Sequence, residues 1–261
     1  MSLFDLYFKS IYQDRWPLLQ SSLLAEEMKT SRSCFEGHAS YYMDSASILA
    51  AAALGVQPGD QVLDLCAAPG GKTLVLAEKL AGKGLIIANE LSRDRRMRLL
   101  KVIEEHVPEK FHSLIQVTGY DGNQFGLKKA NQFDRVLLDA PCSSERHLLH
   151  EDPSMKDWKE SRTKQLAMRQ YSLLCSALLS VKPGGVVVYS TCSISPLEND
   201  GVVERLLKKK EGTVELDWIV QEDEASKVSG IEKTSCGFQI FPDRASGAGP
   251  IYFSRLKKIR S

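Results

Sequence analysis

Five short apolar runs recur between residues 61 and 191 with helical patterns between them, an order that few folds accommodate. The runs are QVLDL (61–65), GLIIANE (84–90), LIQVT (114–118), FDRVLLDA (133–140) and VVVYST (186–191). They are nearly continuous in apolar residues, so they read as strands buried on both faces. Between them, GKTLVLAEKLAG reads as a helix ending at Gly82, and SRDRRMRLLKVIEEH as a second helix with Ser92 at its N-cap. A third helix is expected from about Thr163 to Val181, with Leu166, Leu173, Leu174, Ala177 and Leu178 on its apolar side. KPGG (182–185) would break it, and another helix is expected over 197–209. Strands alternating with helices imply an α/β fold, a mostly parallel sheet with helices on both faces. Ligands of such open sheets bind beyond the carboxyl ends of the strands. That rim would carry Cys66, Glu90, Asp121, Asp139, Cys142 and Cys192.

The 261 residues suit one large domain with a small appendage, and 43% hydrophobic content suffices for a sizeable core. We expect a small helical extension over 1–45 and one Rossmann-like domain over 46–261. Past Thr213 the pattern weakens until GPIYFSRLKK supplies a final strand. Lys plus Arg total 34 against 33 Asp plus Glu, so the chain is no histone-like binder that holds nucleic acid by net charge. The six cysteines are scattered, with no zinc-type spacing, which points to a reducing compartment and no metal. The opening MSLFDLYFKSIYQDRW reads as neither a secretory signal nor a membrane span. A cytoplasmic protein is expected, and an organellar form without its transit peptide would read the same way.

The stretch LDLCAAPGGKT (63–73) is a strand, a small-residue turn and a helix start. Ala67, Ala68, Gly70 and Gly71 allow backbone to approach a ligand closely, and Lys72 adds a positive charge. It is no P-loop, because Cys66 stands where the first glycine belongs, and the GxGxxG fingerprint is absent. Glu90 ends the second strand, where an acid commonly holds ribose hydroxyls. Asp121 follows the third strand, facing an adenine or merely capping a turn. Arg95 opens the second helix, beside a ligand or in a surface ion pair.

Taken in order, LDLCAAPGGKT, ANELSRDRR, GYDG, LLDAPCSSERHLLH and KPGGVVVYSTCSISPLEND resemble the Sun/Fmu-type RNA cytosine-5 methyltransferases. The likeness is greatest to the compact branch that includes the mitochondrial ribosomal-RNA enzyme. It covers roughly residues 40–210. The resemblance implies a class I S-adenosylmethionine-dependent methyltransferase with a seven-stranded sheet. It implies cofactor contacts from Cys66, Ala67, Ala68, Pro69, Gly70, Gly71, Lys72, Glu90, Arg95, Asp121, Gly122 and Asp139, the last also facing the target base. Its substrate would be RNA, ribosomal or transfer, and its product 5-methylcytosine.

Carbon 5 of cytosine is a poor nucleophile until a thiolate adds at carbon 6. An acid at ring nitrogen 3 favours that addition, and a carboxyl in a closed apolar site can have a raised pKa, which would suit Asp139. Spacing leaves open which thiol attacks, whereas the resemblance assigns attack to Cys192 and resolution of the adduct to Cys142. A non-catalytic assembly factor on the same fold is the alternative that labelled-methyl incorporation would separate. Base chemistry requires a flipped or single-stranded nucleotide. The segment ERHLLHEDPSMKDWKESRTKQLAMR (145–169) would wall the RNA, with Trp158 as a stacking candidate, or form a plain solvated face. A protein partner for targeting fits the compact branch.

Overall fold

The computed structural model of the chain describes residues 2–220 and 222–260. Two helices open it, α1 (Leu3–Tyr12) and α2 (Trp16–Leu24), joined by a 3-10 turn. An antiparallel pair follows, β1 (Thr30–Arg32) with β2 (Tyr41–Met43), and then α3 (Ser45–Ala52). The alternating part comprises β3 (Gln61–Asp64), α4 (Gly71–Leu80), β4 (Leu85–Asn89), α5 (Arg93–His106), α6 (Glu109–His112), β5 (Ile115–Thr118), α7 (Gly122–Lys128), β6 (Phe133–Asp139), α8 (Glu145–Glu151), α9 (Glu160–Ser180), β7 (Val181–Thr191) and α10 (Asp200–Lys209). The chain closes with β8 (Val214–Leu216), α11 (Glu222–Ala225), β9 (Ile231–Lys233), β10 (Phe238–Ile240) and β11 (Ile251–Lys258).

The main sheet runs β5-β4-β3-β6-β7-β11-β10-β9, with β8 pairing the far end of β11. Its first five strands are mutually parallel, and β11 is antiparallel to β7. The described sheet therefore holds nine strands, not the seven expected. The three strands with no counterpart among the apolar runs, β8, β9 and β10, are three residues each, too short to print a periodicity on the sequence. A second difference lies at KPGG. Instead of separating helix from strand it sits inside β7, as an irregularity between the Phe133–Val181 and Arg135–Val186 pairs. Gly184 takes a positive φ of 81° there, and a Cβ on Gly185 would lie 2.7 Å from the Asp134 carbonyl oxygen.

Alternation within the strands builds two cores. Val186 and Val188 of β7, with Leu137 of β6 and Val62 of β3, pack with α3, α4 and α5 on one face. Val187 and Tyr189, with Val136, Leu138 and Leu63, pack with α7, α9 and α10 on the other. In α5 the buried Leu99 and Ile103 lie four residues apart among charged residues, and Ser92 caps the helix through the Arg95 amide. A third core joins α1 and α2 to the segment after β6. Phe4, Phe8, Trp16, Leu19 and Leu23 enclose Leu149, Met155 and Trp158. Trp158 is only 8% exposed, edge-on to Phe4 at 5.6 Å, so it is a core residue and not a base-stacking platform. The chain runs outward from β3 to β4 and β5 and returns beside β3 as β6. The strand order thus reverses between β3 and β6, where an open sheet leaves a crevice at its carboxyl edge.

Candidate active site

That crevice holds a cavity of about 910 Å³. The β3–α4 loop supplies one wall. Gly70 takes φ +121°, and a Cβ there would come 3.0 Å from Val102 of α5. A Cβ on Gly71 would come 2.8 Å from the Tyr41 ring, which also lines the cavity. Small residues are therefore required for the loop to lie between α5 and β2. Beneath it, Asp64 ends β3 fully buried, with burial pushing its carboxyl up to about 7. Its Oδ2 accepts from Thr73 at 2.7 Å, while its Oδ1 has no partner.

The opposite wall comes from the loops after β6 and β7. These neighbours pair Asp139 with Ser190, so both chains leave the sheet at the same level. The Asp139 carboxylate accepts from Lys72 Nζ at 2.8 Å and from Ser190 Oγ at 2.8 Å. Its side chain is 31% exposed, which differs from the closed apolar site expected for it. Three residues past Asp139 and two past Ser190, the sulfurs of Cys142 and Cys192 lie 3.0 Å apart. Ser144 Oγ lies 3.0 Å from Cys192 Sγ and 3.4 Å from Cys142 Sγ. Hydrogen bonding from Cys142, then from Ser144, draws the Cys192 thiol below its ordinary value despite burial. The Cys142 thiol is pushed well above its own, first by the bond to Cys192 and then by burial. Burial also pushes the Cys66 thiol up.

The structure brings together Cys66, Ala67, Ala68, Pro69, Gly70, Gly71, Lys72, Arg95, Asp139, Cys142 and Cys192 around this one cavity. Glu90, Asp121 and Gly122 do not line it. Glu90 is 5% exposed, accepts from the Ser92 amide at 2.8 Å and lies 3.5 Å from Arg95. Arg95 in turn donates to the Ala68 carbonyl at 2.6 Å, bridging Glu90 to the rim of the cavity. Asp121 caps α7 through the Asn123 amide, and Gly122 packs against Leu173 and Leu65.

Several lining residues escaped the sequence reading. Asp64 had a legible signal, a carboxylate inside an apolar run. Ser144, in the left-handed region at φ 53°, had none. Tyr41, Tyr42, Met43 and Asp44 line the cavity although they fall in the first 45 residues. Arg146 and the imidazoles of His147 and His150, from the stretch expected to wall the RNA, line its mouth, and Arg146 also ties the Ala25 and Glu26 carbonyls to the Gly247–Gly249 loop. Among the described residues no cluster of three or more His, Cys, Asp or Glu is placed to hold a metal ion. Among them, too, no helix is long and apolar enough to cross a membrane.

The fold, with this loop at its switch point, is that of a class I S-adenosylmethionine-dependent methyltransferase. The "PH0851" crystal structure superposes with a TM-score of 0.80 over 98% of this chain and 65% of that one, at 23% identity. The crystal structure of NSun6 from Pyrococcus horikoshii with SFG superposes with a TM-score of 0.69 over 88% of this chain and 56% of that one, at 25% identity. Residues 51–257 match the model of the family described as 16S rRNA methyltransferase RsmB/F, and the chain belongs to that family. A mitochondrial tRNA (cytosine(34)-C(5))-methyltransferase of Danio rerio is 42% identical over 229 residues, 84% of this chain and 60% of that protein. The 5-cytosine rRNA methyltransferase NSUN4 of Bos taurus is 38% identical over 230 residues, 84% of this chain and 59% of that one. The chain thus spans about 60% of the length of such relatives.

Proposed function

We propose that this protein transfers a methyl group from S-adenosylmethionine to carbon 5 of cytosine in RNA, through a covalent bond between Cys192 and the base. The observation that carries the reading is the pair of sulfurs 3.0 Å apart beside the Lys72–Asp139 ion pair. The fit to the methyl donor rests on the crowded glycine loop and on Asp64, whose unpartnered Oδ1 suits the ammonium end of an amino acid. SFG, present in the archaeal structure, is an analogue of that donor. Cys66 to Lys72, Arg95 and Asp139 would hold the donor in the cavity. Glu90, Asp121 and Gly122 are proposed to bind its adenosine end beyond Arg95. Bound S-adenosylmethionine supplies an electrophilic methyl group.

The residues then divide the work. Cys192, its thiolate favoured by donation from Cys142 and Ser144, adds to carbon 6 of a flipped cytosine and makes carbon 5 nucleophilic. Asp139, fixed by Lys72 and Ser190, is placed to pass a proton drawn from the Lys72 ammonium to ring nitrogen 3, which neutralises the negative charge that addition creates. After transfer the proton on carbon 5 must leave and the sulfur–carbon 6 bond must break. Cys142, a protonated thiol beside that sulfur, is assigned to release: it gives its proton to the departing Cys192 sulfur and takes the carbon 5 proton in its place. Arg146, His147 and His150 at the mouth are proposed to meet RNA phosphates.

We assign ribosomal RNA as the first substrate to test and transfer RNA as the second, since relatives carry both names. A protein partner for targeting is proposed on the same footing and is tested by binding to naked RNA. Free thiols at all six cysteines suit a reducing cytoplasm or organelle matrix. Residues 1–45 are proposed as an extension of the 46–261 catalytic domain.

The test is a denaturing gel of RNA incubated with protein and methyl donor. Cys192→Ala is expected to form no adduct and to lose roughly 10³-fold or more in rate. Cys142→Ala is expected to accumulate a stable adduct. The opposite pattern would exchange the two roles. Bisulfite sequencing of cellular RNA with and without the gene then identifies the cytosine.

A further inference from the structure

Directly beneath the two cysteines lie two carboxylates that the mechanism above does not use. Glu145 and Glu198 are both 0% exposed. Each belongs to one cysteine-bearing segment and is bonded to the other. Glu145, three residues past Cys142, accepts from the Ile194 amide at 3.1 Å and from Ser193 Oγ at 3.0 Å, two and one residues past Cys192. Glu198, six residues past Cys192, accepts from the Ser143 amide at 3.0 Å, beside Cys142. The hydroxyls of Ser143 and Ser193 meet at 3.0 Å between them, and Ser143 also donates to Glu145. Gln170 of α9 closes the network, donating to Glu198 at 2.7 Å and to the Pro141 carbonyl at 2.9 Å. Buried carboxylates are costly to retain, and these two satisfy backbone amides that would otherwise be orphaned.

We propose that Glu145 and Glu198 are positioning residues, a crosswise clamp that locks the two cysteine loops together and sets the separation and aim of Cys142 and Cys192. The proposal deepens the methyl-transfer reading and rests on it for its functional meaning. Its geometry stands apart from that reading. Each carboxylate spans from one loop to the other, so removing either frees an amide one or two residues past the partner loop's cysteine. The neighbouring Ser143 and Ser193 hydroxyls can reverse from donor to acceptor. A glutamine can therefore preserve the clamp, with its oxygen on the amide and its nitrogen on the hydroxyls.

The experiment needs neither RNA nor methyl donor. Hydrogen peroxide converts the two thiols to a disulfide and is reduced to two waters. Peptide mass mapping reads the Cys142–Cys192 bond as the loss of two hydrogens, and its rate reports how the sulfurs are held. Wild-type protein is expected to form this bond ahead of any other cysteine pair, and its failure to do so overturns the assigned geometry. Glu145→Ala and Glu198→Ala are expected to slow the bond by about tenfold or more, while alkylation of Cys34 and Cys236 is unchanged. Glu145→Gln and Glu198→Gln are expected to stay within about threefold of wild type. Wild-type rates in the alanine variants overturn the proposal. Should those variants not fold, Ser193→Ala decides alone, slowing by about threefold or more supporting the clamp and a wild-type rate overturning it. In methyl transfer, the alanine variants are expected to lose kcat with donor affinity retained, and the glutamine variants to recover it. A wild-type protein that cross-links but transfers no methyl sinks the functional reading and leaves the clamp intact.

Discussion

Glu145 shows how one side chain ties chemistry to stability. Burial, and then the facing Glu198, push its carboxyl from the ordinary 4.5 up to about 7. The other titratable groups around it are Tyr7 and Tyr12 of α1 and the thiol of Cys192. The folded protein therefore keeps a proton on Glu145 where the unfolded chain has lost it. This contribution to stability is complete below about pH 4.5 and is lost as pH rises through about 7. Glu145→Gln removes that slope. Urea midpoints at several pH values are expected to show the variant gaining on wild type by about 1.4 kcal/mol for each unit between those limits. Parallel curves would show that Glu145 does not titrate there. In the sequence this residue looked like ordinary helix charge in ERHLLHE, because nothing local distinguishes a buried glutamate from a solvated one.

At the scale of elements, the β3–α4 loop was the most legible part of the site and the sheet beyond β7 the least. Cys66 to Lys72 needed only local reasoning, since small residues between a strand and a helix imply close approach. What they approach was not local. Gly70 meets Val102 of α5, and Gly71 meets Tyr41 of β2. Gly70→Ala would force a side chain into φ +121° and against Val102, at a cost of about 1–3 kcal/mol. Calorimetric titration with S-adenosylmethionine is expected to show weakened binding, and unchanged binding would show that the loop does not hold the donor. KPGG misled for a related reason. Proline and glycine usually mark an end, but here they form an irregularity in a strand that β6 and β11 hold on both sides.

At the scale of the molecule, the third core joins the first helices to the wall of the site. Trp158 packs against Phe4, Tyr7 and Phe8, and Tyr12 donates to the Ile194 carbonyl in the loop after Cys192. The amino-terminal segment is thus a buttress for the segments that carry both cysteines. Trp158→Ala is expected to cost about 3–5 kcal/mol, as other buried aromatic truncations do, and to lower the melting temperature accordingly. A loss under about 1 kcal/mol, read from urea unfolding, would mean that this core adds little.

Residue order by itself determined the parallel sheet, the glycine loop and the two cysteines at strand ends. Each rests on periodicity or on residue types that local backbone geometry demands. Only the tertiary structure decided that Cys142 and Cys192 are neighbours, because their meeting depends on β6 and β7 lying side by side in register. It alone took Trp158 out of the binding face, placed Asp139 in a Lys72 ion pair and sealed two glutamates beneath the thiols. Burial and charge pairing are sums over residues distant in the chain, and no window of sequence contains them.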